Sequence, residues 1–131
     1  MSKNAMQPRH SSDPSLIFVF GSNLAGYHGA GSAREAFKFW DAQWGCGEGP
    51  TGRAYAIPTK DWNMRTLPIS DITKSVDKFL LYAGAHPELR FRIVAIGCGL
   101  AGYAPIQIAP LFHLAPLNCE LPAEFRPREK R

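Results

Sequence analysis

Two glycine-rich stretches combine residue types that can hold an anion. The first is Gly21-Ser22-Asn23-Leu24-Ala25-Gly26-Tyr27-His28-Gly29-Ala30-Gly31, with four glycines, an amide, a hydroxyl and an imidazole in eleven residues. The second is Gly97-Cys98-Gly99-Leu100-Ala101-Gly102-Tyr103. Glycine lets backbone N–H groups close on a ligand, and a helix N-terminus behind such a loop favours negative charge. Each stretch follows an apolar run that reads as a buried strand and precedes a helical pattern. Two such loops side by side suit a diphosphate better than a single phosphate. The plainer alternative is that the glycines only satisfy tight strand-to-helix turns.

Between the two loops lies Lys60-Asp61, a candidate catalytic pair or simply a surface ion pair. Asn23 is placed to offer its amide to a ligand, or to hydrogen-bond its own backbone and shape the turn. His28 sits in a loop rather than on an apolar face, so it is a candidate general base or phosphate contact, or a solvated loop histidine. Cys98, near a predicted helix N-terminus, is placed where a thiolate would be favoured, or where packing requires a small side chain. Tyr103 can stack on a sugar or base, or fill the core. Trp40, Trp44 and Trp62 read as packing residues. The second loop also spells G-x-G-x-x-G, with Glu120 eighteen residues after Gly102, the pattern of a dinucleotide-binding Rossmann unit. Only 29 residues follow Gly102, so a second mononucleotide half has no room and a redox enzyme is not expected.

The elements that would position these loops follow from periodicity. Leu16–Phe20 and Phe91–Ile96 are short apolar runs suited to strands buried on both faces. Arg53–Ile57 reads as a strand stopped by Pro58, and Leu117–Leu121 as a final strand. Ala33, Ala36, Phe37 and Trp40 recur at helical spacing behind a capping box formed by Ser32 and Glu35. Ile72, Val76, Phe79, Leu80 and Ala83 form a second helical stripe, with Ser70 as cap and Asp71 in its first turn. Pro105 opens a third helix that Pro110 limits. This alternation predicts an α/β sandwich with a mainly parallel sheet. Residues 1–15 read as a flexible polar arm, 16–121 as one ligand-binding domain, and 122–131 as a charged tail.

Composition narrows the function classes. The chain has 131 residues, 45% hydrophobic and 20% charged, which suits one globular domain. Its formal charge of +4 lies mostly in the terminal segments, because residues 16–121 hold nine basic and eight acidic residues. A basic nucleic-acid footprint on the folded body is therefore absent, and a nucleic-acid-associated role would rest on the tails. The three cysteines have neither CxxC spacing nor a histidine at zinc-ligand distance, so no metal site or disulfide framework is expected. The 27 residues from Ile93 to Cys119 carry no acidic or Lys/Arg charge, yet three glycines and three prolines interrupt them, which argues against a membrane span. A cytoplasmic domain without membrane contact is expected.

The strand Ile17-Phe18-Val19-Phe20 running into Gly21-Ser22-Asn23 and a glycine run to Gly31 resembles the first ligand loop of macrodomains. Ile96-Gly97-Cys98-Gly99-Leu100 resembles the family's phosphate-gripping loop. Tyr55-Ala56-Ile57-Pro58-Thr59-Lys60 is similar to the strand leading to the catalytic lysine in the branch that includes the terminal ADP-ribose–protein glycohydrolase. Small phage-encoded macrodomain-like proteins of unassigned role look similar too. The resemblance covers residues 16–121 and implies a three-layer α/β/α fold, shortened at its N-terminus, that binds ADP-ribose or a related nucleotide without a cofactor. It implies ligand contacts from Gly21, Ser22, Asn23, Gly26, Gly29 and Gly31, and from Gly97, Cys98, Gly99, Leu100, Ala101, Gly102 and Tyr103. Lys60 would attack the anomeric carbon, with Asn23 orienting the ribose. The acid–base aspartate of that branch is replaced by Ala101, leaving Asp61, His28 or Glu120 as substitutes. The implied activity is hydrolysis of ADP-ribosyl linkages on protein or nucleic acid, or non-catalytic sequestration of a nucleotide signal. Only fifteen mostly polar residues precede Leu16, so the family's adenine-binding aspartate has no clear counterpart but Asp13.

Overall fold

A computed structural model describes residues 13–126. Most of the predicted arm and residues 127–131 of the predicted tail lie outside the described residues. The chain forms an α/β fold around a five-stranded mixed sheet: β1 (Leu16–Asn23), β2 (Gly49–Thr51), β3 (Ala54–Lys60), β4 (Arg90–Ile93) and β5 (Cys119–Glu120). The helices are α1 (Gly31–Phe39), α2 (Ile69–Ala85) and the single turn α3 (Pro105–Ile108), which continues as a 3-10 turn over Ala109–Phe112. Strand order is β2-β3-β1-β4-β5, with β3, β1, β4 and β5 mutually parallel and β2 antiparallel to β3.

Alternation along β1 divides the core. Leu16, Phe18 and Phe20 cluster with Ala33, Ala36 and Trp40, while Val19 clusters with Ile72, Val76, Phe79 and Ala83 of α2 and with Phe91 and Ile93 of β4. Trp40 is fully buried, its ring stacked on Phe18 at 5.0 Å between centroids. Such burials are worth about 1.5–3 kcal/mol each for large apolar side chains, so they hold α1 and α2 to the sheet more firmly than any cap could.

Several boundaries differ from the sequence expectation, each for a physical reason. Pro58 does not stop β3. It lies beyond the end of β2, which pairs only with Ala54–Ala56, so its missing N–H removes no ladder bond. The first helix begins at Gly31 with Ala30 at its cap, and the Ser32 hydroxyl instead accepts from the Gly21 N–H at 3.3 Å, tying the helix start to β1. The second begins at Ile69 after Pro68, without a Ser70 cap. The strand expected over Phe91–Ile96 ends at Ile93, and that over Leu117–Leu121 shrinks to two residues. Domain packing also runs past Leu121, because Phe125 is buried and stacks on Phe112 at 5.5 Å. No helix among the described residues is long and apolar enough to cross a membrane.

Candidate functional site

The crossovers leave β1 and β4 as neighbours whose outgoing chains separate: β1 leads to α1 and on to β3, and β4 leads to α3 and on to β5. Ligands of open α/β sheets bind at such a divergence, beyond the strands' C-terminal ends. A cavity of about 610 Å³ lies there. Both glycine-rich loops line it, the first through Gly21, Ser22, Asn23, Gly29 and Gly31, the second through Gly97, Gly99, Leu100 and Ala101.

Lys60 reaches the cavity through an irregularity. The β1–β3 register steps from Ser22↔Pro58 to Asn23↔Lys60, leaving Thr59 as an extra residue, and Thr59 and Lys60 both line the cavity. A bulge re-aims a side chain in this way. The Leu24 N–H donates to the Lys60 carbonyl at 2.9 Å, and the Thr59 hydroxyl to the Ser22 carbonyl at 3.3 Å, so the strand ends are fastened together. The Lys60 ammonium makes no ion pair among the described residues, and no carboxylate joins it in the lining.

Backbone donors add to that charge. Gly97 is buried, and its N–H, like those of Gly99, Leu100 and Ala101, donates to no acceptor among the described residues. A buried N–H such as that of Gly97 is rarely left unpaired, and together with the more exposed N–H groups of Gly99, Leu100 and Ala101 it suits an anion. Gly31, Ser32 and Ala33 open α1 at the cavity wall, adding the helix's N-terminal field. One cation, a loop with uncommitted N–H groups and no acidic lining residue together favour a negatively charged ligand.

Most of the remaining predicted residues fall elsewhere. Asn23 lines the cavity, but its amide also shapes the loop. Its Nδ2 donates to the Tyr27 carbonyl at 2.8 Å and its Oδ1 accepts from the Tyr27 N–H at 2.9 Å. One N–H and one lone pair remain for a ligand. Asp61 is absent from the lining. Its carboxylate accepts from the Asn63 and Arg65 N–H groups at 2.8 and 2.9 Å and holds the turn after β3. Gly26 is absent as well, because it packs against the Gly45 backbone. Cys98 and Gly102 lie outside the lining, and the Tyr103 hydroxyl donates to the Leu67 carbonyl at 2.6 Å. Cys98 does not favour a thiolate: burial, then the nearby Glu124, pushes its thiol above the ordinary range, and α3 starts seven residues later. Glu120 pairs with Arg90 at 2.9 Å in β5, and Asp13 binds Ser15 and Arg90 at the opposite end of β1. Neither belongs to the site.

His28 is buried behind the first loop. Its Nε2–H donates to the Gln43 carbonyl at 2.9 Å, and its ring meets Phe20 edge-on at 5.5 Å. Burial holds its pKa below the ordinary 6.5, against the opposing pull of the Gln43 and Cys46 backbone. The folded state therefore disfavours the proton, and this contribution is full above the unfolded value and lost as pH falls through it. Stability should therefore decline as pH falls below about 6.5, with a slope of at most about 1.4 kcal/mol per pH unit for this one proton. Thermal melts of His28→Gln, which keeps an N–H for Gln43, should lose that slope; an unchanged slope would assign it to other groups.

Sequence reasoning missed Ser32, Thr59 and Met64 in the lining. Met64 has a left-handed φ of 64°, uncommon for a non-glycine residue, and Thr66 beyond it donates its hydroxyl to the Ala101 carbonyl at 2.9 Å, joining the turn to the second loop. No sequence signal marks the β3 bulge. Comparison with known proteins finds no matching family model, no similar curated protein and no similar solved structure.

Proposed function

We propose that this chain is a macrodomain-like, three-layer α/β/α domain that binds ADP-ribose or a related nucleotide diphosphate between its two glycine-rich loops. One observation carries the reading: loops from the adjacent parallel strands β1 and β4 line a single cavity whose one charged lining residue is Lys60. The unpaired N–H groups of the second loop would take the diphosphate, Lys60 would balance its charge, and Asn23 would hold the sugar through its uncommitted N–H. The two hydrophobic clusters served by opposite sides of β1 support the layered arrangement.

The same lining favours retention of the ligand over its hydrolysis. Lys60 is available as a nucleophile toward an anomeric carbon, but the acid–base candidates Asp61, His28 and Glu120 all lie outside the cavity. We therefore read the site as a binding module for a nucleotide signal. Calorimetric titration with ADP-ribose should give micromolar binding. Lys60→Ala should weaken it about tenfold or more, as expected for a charge-assisted hydrogen bond worth roughly 1.5–3 kcal/mol. Absence of both heat and thermal shift would overturn the ligand. Release of ADP-ribose from a modified protein or DNA in a single-turnover assay, lost in Lys60→Ala, would overturn the preference for binding alone.

A further inference from the structure

A second concave surface lies at the edge of the sheet opposite the cavity. The cavity sits beyond the C-terminal ends of the parallel strands, whereas α2 leads the chain to the start of β4 and residues 116–118 lead it to the start of β5. Between these two segments runs an open groove of about 320 Å³, lined by Ala83, Gly84, Pro87, Pro116, Leu117 and Asn118. Its walls are close together, since an added Cβ on Gly84 would lie 3.8 Å from the Pro116 Cγ. The carbonyls that the end of α2 would otherwise present there are engaged by Asn118, whose Nδ2 donates to those of Ala83, His86 and Leu89 at 3.0, 3.1 and 3.1 Å. Large aliphatic side chains project around the groove. Leu81, one helical turn before Gly84 on the same face of α2, is 77% exposed. Leu114 is 88% exposed, and Leu117 is fully so. Single exposed leucines are ordinary, but leucines gathered at an apolar groove mark a contact surface.

Charge and shape identify the partner. The segments that build this patch, residues 79–87 and 93–119, hold no Asp, Glu, Lys or Arg, in a chain whose formal charge is +4. In a two-fold contact the same patch serves both copies, so its charges must balance among themselves. An uncharged patch lets two positively charged copies meet without like-charge repulsion, and it gives a partner of opposite charge nothing to read. A two-fold contact also needs residue i of one copy on residue j of the other and the reverse. Projecting leucines beside a groove, on one surface, meet that need. We propose that this edge of the domain is a dimer interface, at which two copies of the chain pair about a two-fold axis and each seats a leucine in the other's groove. Lys78 and Glu88 bound the α2 segment, so the patch has the plan of such interfaces, an uncharged core within a polar rim. Because patch and cavity lie at opposite ends of the strands, pairing leaves both cavities open and joins two binding sites in one particle. The inference does not depend on what those cavities bind.

Sedimentation velocity of the full chain over a range of concentrations tests the pairing. The mean mass should rise from that of one chain toward that of two, and the melting temperature should rise with concentration as well. Leu117→Lys sets a charge of the chain's own sign in the contact and should weaken pairing at least about a hundredfold. Leu117 is fully exposed, so this change leaves the packing of the monomer intact. Gly84→Leu fills the groove from its own wall and should weaken pairing about tenfold or more, while the better helix former keeps the monomer at least as stable. Ile106→Lys adds the same charge at an aliphatic residue of α3 that is 81% exposed, and should leave pairing unchanged. A chain that stays monomeric at every concentration overturns the proposal and leaves the patch to a different protein. A dimer that survives both Leu117→Lys and Gly84→Leu overturns it too, because the contact then lies elsewhere. Equal disruption by Ile106→Lys would mean unspecific adhesion of apolar surfaces and would likewise end the proposal.

Discussion

Gly26→Ala is expected to lower the stability of the fold by about 2–5 kcal/mol, while Gly29→Ala, three residues away in the same loop, should change it by no more than about 0.5 kcal/mol. Gly26 has a left-handed φ of 74°, which costs a residue with a Cβ roughly 1–2 kcal/mol. Its added methyl would also lie 2.6 Å from the Gly45 Cα and the Gly45 carbonyl oxygen. These are backbone atoms that no rotamer change can move, and overpacking of this sort typically costs a further 1–3 kcal/mol. The Gly45 N–H donates to the Gly26 carbonyl at 2.8 Å, so relieving the clash breaks the bond that joins the two segments. Gly29 is exposed, has no heavy atom within 4 Å of an added Cβ, and lacks a left-handed φ. Urea denaturation of both variants measures the contrast. A Gly26→Ala loss below about 1 kcal/mol would mean that the first loop is free to rearrange and that its shape is not set by this contact.

That pair of glycines also marks the limit of what the sequence makes legible. The run Gly21–Gly31 announces a special backbone, but no spacing rule separates the glycine that packs from those that line the cavity. The distinction comes from Gly45 and Gly47, about twenty residues away. Gly47 is a clear case: an added Cβ would lie 2.8 Å from the Leu24 carbonyl oxygen, and its own carbonyl accepts from the buried Ser22 hydroxyl. Periodicity did locate the elements that carry the loops, because apolar runs and helical stripes report burial directly. Ala33, Ala36 and Trp40 are buried as their spacing requires, as are Ile72, Val76, Phe79 and Ala83. The edge strand β2 was hidden inside a Gly/Pro-rich stretch, where three residues paired antiparallel to β3 leave no pattern of their own. His28 is a related case. Its polar neighbours suggest a loop open to water, whereas the segment from Ala42 to Gly47 folds over it and buries it. Lys60 joined the site through a register shift, which depends on two strands at once and is written in neither alone.

The largest effect on binding is expected at Gly99. Gly99→Glu should reduce the affinity for ADP-ribose by at least about a hundredfold without lowering the melting temperature by more than about 2 °C. The position is suited to the change because Gly99 lines the cavity, is exposed, and has open space where a Cβ would stand. A single carboxylate there would face the N–H groups of Gly97, Gly99, Leu100 and Ala101, which have no other acceptor among the described residues. It would both occupy these donors and repel an incoming diphosphate. Like charges 4 Å apart interact by roughly 4 kcal/mol at an effective dielectric of 20, and solvent at this open site reduces that figure. Even half of it, about 2 kcal/mol, exceeds a tenfold loss, and the lost donors contribute the rest. Gly99→Gln separates charge from bulk, since it fills the same space without the negative group. If the ligand is anionic, the glutamate variant must bind far more weakly than the glutamine variant, and added salt must narrow the gap. Equal losses in the two variants would mean that the second loop offers only shape, and the anion-binding reading of Gly97–Ala101 would have to be abandoned.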